Sequence, residues 1–148
     1  MKRDASLALR QGNTDALNVY QQHGRLHRGV PGEMDFDVLD HWARLRAGGD
    51  SVVVLAANND TVARLNDLAQ YDRVQAGELD EQGPSVPTGA GVRLLVGDEI
   101  ATRHPDRCLR TDRGDMVRNR DQWTVTTISK SGELIAACRS GRVRLPAE

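Results

Sequence analysis

The chain has 148 residues, of which 39% are hydrophobic and only 3% aromatic. This length suits one ordinary domain or two small ones, and a core so poor in aromatic residues must be built mainly from Leu, Val and Ala. The net charge of −1 favours no class of partner, and no run approaches the roughly 18 consecutive apolar residues of a membrane helix. We therefore expect no membrane segment, and the two cysteines, which lack a CxxC spacing, favour a cytoplasmic location with reduced thiols.

Charge is unevenly distributed along the chain. Residues 1–90 contain 9 Lys or Arg and 13 Asp or Glu, a net charge of −4, whereas residues 91–148 contain 11 and 8, a net charge of +3. All but one of the 11 basic residues are Arg, which can bind a phosphate through two parallel hydrogen bonds. This pattern indicates an anionic partner for the C-terminal part, with an ordinary mixed-charge surface as the alternative.

The first half of the chain predicts helices. Gly12 and Gly24 delimit two short ones, and a third opens at Pro31 and runs to about Ala47, before Gly48 and Gly49. Apolar residues of the third helix recur at the spacing of one buried face, and these are Met34, Val38, Leu39, Trp42 and Leu45. We therefore expect Trp42 to lie in a core.

A continuous apolar run, VVVLAA (residues 52–57), follows, and it is typical of a strand buried on both faces of a parallel sheet. A polar turn and a helix with an apolar face come next, so the order predicts a βα unit. Asn58, Asn59 and Thr61 occupy the turn, where they either cap the helix or help its N-terminal amides to bind an anion. The sequence leaves both interpretations open.

The character of the sequence changes near Glu81. The stretch EQGPSVPTGAG (residues 81–91) is rich in Gly and Pro and is typical of a linker. From Gly91 onward, short β-type runs alternate with turn signals, which predicts four or five strands in a small barrel. Residues 130–132 fit a tight hairpin turn between two of these strands.

Motifs of catalysis and metal binding are missing from the sequence. It contains no GxxxxGK[ST], GxGxxG, HExxH or GxSxG pattern, and Cys108 and Cys138 are 30 positions apart without a CxxC pair. The four His residues, 23, 27, 41 and 104, show no spacing typical of zinc ligands. We therefore expect reduced thiols, no metal, no cofactor and no catalytic activity for the chain alone.

The chain nonetheless resembles an internal piece of a RecD-like superfamily 1 DNA helicase, in particular the helicase part of actinobacterial TraA/TrwC (MobF) conjugative relaxases. VVVLAANNDTVARLN is similar to the first βα unit of the second motor domain, and ASLALRQGN to the helical segment before it. VGDEIATR, VRNRDQWTVTTI, GELIA and GRVRLP together resemble the SH3-like barrel inserted in that domain. The sequence departs from the family where His104 replaces an expected Asn and where Arg120 replaces the Gly of an Asn-Gly-Asp turn.

The resemblance implies a mixed α+β or α/β fold in two parts. Residues 1–82 correspond to helices and a partial RecA-like second motor domain, and residues 91–148 to the SH3-like inserted barrel. The family's phosphate loop and later motor motifs are absent, so the chain is either part of a larger P-loop NTPase that uses ATP and Mg, which we favour, or a degenerate remnant of one. Its implied partners are single-stranded DNA and the remainder of that helicase/relaxase, which acts in plasmid conjugation; the incomplete sheet also suggests a homodimer of the isolated fragment.

The DNA-binding residues follow from the resemblance and from residue chemistry. The set comprises Asn58, Asn59, Thr61, Arg103, Arg118, Asn119, Arg120 and Trp123. Arg107, Arg110 and Arg113 also fall near predicted barrel loops, where Arg side chains can reach phosphate. Trp123 has two interpretations: the first core residue of a central strand, which we favour, or a platform on which a base stacks.

Two functions are consistent with these features of the sequence. In the first, the fragment contacts single-stranded DNA and couples motor-domain closure to strand movement, without hydrolysing ATP by itself. In the second, the small barrel binds a peptide or another domain, and DNA affinity is incidental. Steep salt dependence distinguishes the first from an apolar peptide contact.

Overall fold

The computed structural model describes residues 2–88, 92–103 and 108–145, except for the side chains of residues 2, 3 and 31. Four helices precede six short strands, so the fold is mixed α+β. The chain divides into two compact units, Met1–Val54 and Leu55–Glu148. The segment 1–82 that the resemblance assigns to the motor domain therefore spans both units.

The first unit consists of three helices, as the sequence predicts. They are α1 (Lys2–Arg10), α2 (Ala16–Gln22) and α3 (Pro31–Ala47). Ala5, Ala16 and Leu39 are its buried apolar residues, whereas Phe36 is 61% exposed. Trp42 is only half-buried, and the guanidinium of Arg46 lies 5.5 Å from the centre of its ring. The predicted burial of Trp42 is thus confirmed only in part, because α1 and α2 make few contacts with the apolar face of α3.

The predicted strand at residues 52–57 is wrong for this structure. The segment has no strand assignment, and Val53 and Leu55 are 61% and 89% exposed. A parallel strand exists only where a neighbouring strand accepts and donates its backbone hydrogen bonds. Within the described residues, every strand pair is antiparallel and lies further along the chain. The βα unit therefore does not form here.

The helix that follows this segment is present, as α4 (Asn59–Gln75). Asn58 is its N-cap: the backbone is extended, and the side-chain Oδ1 accepts a hydrogen bond of 2.8 Å from the Thr61 amide. This satisfies one of the amides that a helix start leaves unpaired. No residue of α4 is fully buried.

The strands form two antiparallel sheets rather than a closed barrel. β1 (Ser85–Pro87) pairs with β2 (Arg93–Leu95), so the predicted linker contains a strand. The larger sheet has the order β3-β4-β5-β6 and contains β3 (Glu99–Ala101), β4 (Gln122–Ile128), β5 (Leu134–Cys138) and β6 (Gly141–Leu145). The predicted hairpin turn between β4 and β5 is confirmed, with Gly132 at φ 84° and the Ser129 amide bonded to the Glu133 carbonyl.

The core of the second unit lies on one face of the larger sheet. One cluster joins Val117, Trp123, Ala136 and Val143. A second cluster joins Val125, Ile128 and Leu134, and it receives Val86 and Leu94 from the smaller sheet. The alternating burial along β4 explains this arrangement, since successive strand residues point to opposite faces.

A polar network attaches α4 to the sheets. The buried Asp98 carboxylate accepts hydrogen bonds from Gln70 Nε2 at 2.6 Å and from the Leu95 amide at 2.8 Å. Arg73 lies 3.6 Å from the same carboxylate and donates to the Gly97 carbonyl at 3.0 Å. Beside this network, Gly97 has a φ of 98°, in a region that residues with a Cβ rarely adopt, and a Cβ there would also require the Leu79 side chain, 2.8 Å away, to shift.

Candidate nucleic-acid interface

The candidate interface is the tight turn that precedes β4, residues 118–121. The Asp121 amide bonds back to the Arg118 carbonyl, and the Asp121 carboxylate accepts the Arg118 amide at 2.7 Å. Thr102, at the end of β3, fixes the turn from the other side: its carbonyl accepts the Arg120 amide, and its amide donates to the Asp121 carbonyl. The turn and strand predicted from the sequence are therefore present.

Arg120 has a backbone φ of 68°, in the left-handed region. The family resemblance predicts a glycine-type position here, and the structure confirms this backbone requirement. A residue with a Cβ is strained in that conformation by about 1–2 kcal/mol. Such strain at an exposed turn is a reason to look for a role of the side chain.

The structure brings three of the predicted arginines to this turn. Arg118 and Arg120 flank Asn119, and Arg103 follows Thr102; the three arginines and Asn119 are exposed. Within the described residues, no hydrogen bond or ion pair engages the guanidinium of Arg103, Arg118 or Arg120. We call Arg103, Arg118 and Arg120 the arginine turn.

Other arginines of the second unit are held by their neighbours. Arg73 bonds to Glu78 and Gly97, Arg93 to the Glu81 carbonyl, and Arg113 to the Arg139 carbonyl. Such contacts hold the guanidinium in one position and occupy some of its N–H groups, which are then not available to bind a ligand. The arginine turn differs from these positions because it gathers three exposed, unengaged guanidinium groups, whereas Lys130 and Arg139 are exposed singly among the described residues. Arg107 and His104 lie outside the described residues.

Trp123 does not belong to this interface, which corrects its inclusion among the DNA-binding residues. Its side chain is 2% exposed and packs with Val117, Ala136 and Val143. A ring enclosed on both faces offers no surface on which a base could stack. The interpretation as a core residue is confirmed, although the buried indole Nε1 has no hydrogen-bond partner in the part of the chain that the structure describes.

Asn58, Asn59 and Thr61 lie at the start of α4, and the structure does not join them to the arginine turn within the described residues. Asn58 Oδ1 is engaged in capping, and Asp60 places a negative charge in the first helical turn. Because residues 52–57 form no strand, this helix start does not lie at the carboxyl edge of a parallel sheet. The capping role is confirmed; the anion-binding role remains a prediction.

A second basic feature, which the sequence did not predict, is a groove of about 400 Å³ beside the edge strand β6. Arg110, Arg142 and Arg144 line it, together with Thr111, Asp112 and Ile135. A signal for it exists in the sequence: in GRVRL the two Arg alternate with Val143, which is buried, so both Arg must face away from the core. We call this feature the β6 groove.

No group of three or more His, Cys, Asp or Glu residues in the described parts of the chain is placed to hold a metal ion. None of the described helices combines the length and the apolarity needed to cross a bilayer. Comparison of the chain with known protein families, curated proteins and solved structures found no match.

Proposed function

We propose that the chain contributes a sequence-independent contact to single-stranded DNA through the arginine turn. The observation that supports this is the unengaged state of Arg103, Arg118 and Arg120 at an exposed turn, one of them in a strained backbone conformation. Unpaired guanidinium groups bind phosphate oxygens through charge-assisted hydrogen bonds, and phosphates alone carry no sequence information.

In this proposal the chain is a non-catalytic part of an ATP-dependent DNA helicase of the conjugative relaxase type. ATP and Mg belong to the larger protein. The two small sheets correspond to the SH3-like insertion, and residues 52–57 become a strand of the RecA-like motor domain when that protein supplies neighbouring strands. The exposure of Val53 and Leu55 supports this last step, because an apolar run this exposed gains free energy when covered.

The test is fluorescence anisotropy of a labelled single-stranded oligonucleotide titrated with the chain at several salt concentrations. Three phosphate contacts give a slope of about −2 for the logarithm of the association constant against the logarithm of salt concentration. The variant Arg118→Glu/Arg120→Glu should weaken binding by at least about tenfold. A matched control is Arg25→Glu/Arg28→Glu, which reverses two exposed charges in the first unit. Equal losses in both variants, or no binding at low salt, would refute the proposal.

A second candidate function is a protein-interaction module in which the small β region binds a peptide or another domain. The β6 groove favours it, since its floor is aliphatic and the described residues that line it include no aromatic side chain for base stacking. A peptide contact with an apolar share depends less steeply on salt than a contact with phosphates. The same salt series therefore separates the two functions.

We also propose that the isolated chain forms a homodimer through the exposed run at residues 52–57. Unpaired backbone groups on an apolar extended segment are a template for pairing with a second copy. Sedimentation at increasing protein concentration tests this directly.

A further inference from the structure

We propose that the β6 groove binds an extended acidic peptide segment, with carboxylates at alternate positions and an aliphatic side chain on the same face. This rests on the second candidate function, which it makes specific. It is independent of DNA contact at the arginine turn.

The spacing of the cations is the first argument. Arg142 and Arg144 are two residues apart on β6 and point to the same face, so their Cα atoms are separated by about 7 Å. Side chains two residues apart in an extended peptide have the same separation and also share a face. Carboxylates at alternate positions therefore match these two guanidinium groups one to one.

The floor of the groove is the second argument. Ile135 is the cross-strand neighbour of Arg144, lies on the same face of the sheet and is only half-buried. An aliphatic side chain beside the carboxylates covers it and gains free energy from burial. A phosphate backbone has no group of this kind, and the described residues that line the groove include no aromatic ring on which a base could stack.

Existing ion pairs in and beside the groove are the third argument. Arg142 Nε lies 3.0 Å from Asp112 and Arg144 Nη1 lies 3.6 Å from Glu133. Both Arg side chains are still 70% exposed, so their outer nitrogens remain accessible. These neighbours show that a carboxylate fits beside each guanidinium, and because they lower the positive potential for any anion, the ligand also needs the aliphatic contact with Ile135. The arginine turn, by contrast, has no such ion pairs within the described residues.

The peptide is recognised by side chains rather than by strand addition. β6 is the last strand of its sheet, where another chain could add. However, Asp112 occupies this edge at Arg142, because its Oδ1 accepts the Arg142 amide at 2.9 Å and its amide donates to the Arg142 carbonyl at 2.8 Å. At Arg142 the ligand therefore lies over the face of β5 and β6 rather than beside β6.

The test uses a fluorescently labelled peptide Val-Ser-Glu-Ser-Glu-Ser-Val, in which Val and Glu share one face. A neutral probe has Gln for Glu, and a second probe has Ser for Val. The groove variant is Arg110→Gln/Arg144→Gln, which leaves the Asp112–Arg142 pair intact; the matched control is Arg118→Gln/Arg120→Gln. Equal urea midpoints for the two variants establish that both are folded.

We expect the acidic peptide to bind the unmodified chain and to lose roughly tenfold in affinity with the groove variant but not with the control. The probe with Ser for Val should bind more weakly. Equal binding of the neutral probe would overturn the acidic inference while leaving the interaction function standing. If none of the peptides binds, the acidic-peptide inference and the protein-interaction function on which it rests are both refuted. If single-stranded DNA displaces the peptide and depends on Arg110 and Arg144, the groove is a nucleic-acid site and the inference is overturned.

Discussion

Asp112 and Arg142 are joined by three hydrogen bonds that combine backbone and side chain. The Asp112 carboxylate accepts the Arg142 amide at 2.9 Å and Arg142 Nε at 3.0 Å, and the Asp112 amide donates to the Arg142 carbonyl at 2.8 Å. The pairing imitates one rung of a β-ladder. It connects the loop before β4 to the edge strand β6.

This pairing makes the free energy of unfolding depend on pH. The Arg142 amide and then the Arg142 side chain hold the pKa of Asp112 below its ordinary value of 3.8. Because the pKa is lower in the folded chain, the contribution is present above that ordinary value and is lost as pH falls through the folded-state pKa. The free energies of unfolding in urea of the unmodified chain and of Asp112→Asn should therefore differ most near neutral pH and converge as pH falls through the folded-state pKa of Asp112. A constant difference across that range would contradict this account.

Because Arg120 has a left-handed backbone, replacing it with glycine should change stability and oligonucleotide affinity in opposite directions. Arg120→Gly relieves the strain of about 1–2 kcal/mol but adds flexibility to the unfolded chain, so we expect a net gain of about 0.5 kcal/mol. Oligonucleotide affinity should fall, because a cation is lost. Arg118→Gly is the control: it removes the same charge without relieving strain and should lower the free energy of unfolding. In urea titrations the free energy of unfolding should rise for Arg120→Gly and fall for Arg118→Gly. In anisotropy titrations both variants should lose oligonucleotide affinity to a similar degree.

The buried Asp98 carboxylate should be among the most sensitive polar positions. Asp98→Ala leaves the Leu95 amide without its acceptor and removes the ion pair with the Arg73 guanidinium, which is only 13% exposed and keeps its bonds to Glu78 and Gly97. We expect a loss of about 2–4 kcal/mol in the free energy of unfolding. The exposed Asp67 provides a control, since Asp67→Ala should change stability by less than about 0.5 kcal/mol. Comparable losses at both positions would argue against the network.

Substitutions of Trp123 distinguish a core role from base stacking. Trp123→Ala should cost about 3–5 kcal/mol because it leaves a large cavity. Trp123→Phe should cost considerably less, since it also removes the unpaired indole N–H. Oligonucleotide affinity of the folded Phe variant should match that of the unmodified chain. A marked fall in that affinity, at an unchanged far-ultraviolet circular dichroism spectrum, would restore Trp123 to the interface.

The exposed run at residues 52–57 should control self-association rather than folding. Leu55→Lys introduces a charge at a side chain that is 89% exposed, so the free energy of unfolding should change by less than about 0.5 kcal/mol. Sedimentation velocity at rising concentration should show less dimer for this variant than for the unmodified chain. Ala47→Lys, at an exposed position at the end of α3, controls for added charge alone.

Local signals in the sequence were sufficient for the helices and the β4–β5 hairpin. The Asn58 cap, the end of α3 and the turn at Gly132 depend on residues within a few positions of each other, so they can be predicted from sequence. The run at residues 52–57 could not, because a strand depends on a distant neighbour that the described chain does not supply. Apolarity and β-branching describe what that segment favours, not whether a partner is present.

The candidate sites divide in the same way. Arg118, Arg120 and the start of β4 follow from turn chemistry, which is local. The β6 groove depends on Arg110 meeting Arg142 and Arg144 across more than thirty positions of sequence, which no short pattern encodes. The burial of Trp123 was correctly favoured because a small core with few aromatics needs a large residue.

The attachment of α4 to the sheets has a consequence for the position of the helix. Gln70 and Arg73 bind the Gly97–Asp98 corner, and Leu79 packs against Gly97 shortly after the helix. These polar bonds, rather than a buried apolar face, hold the helix against the corner, since no residue of α4 is fully buried. The position of α4 on the sheets therefore depends on two side chains of the helix, Gln70 and Arg73, which lie on one face of it.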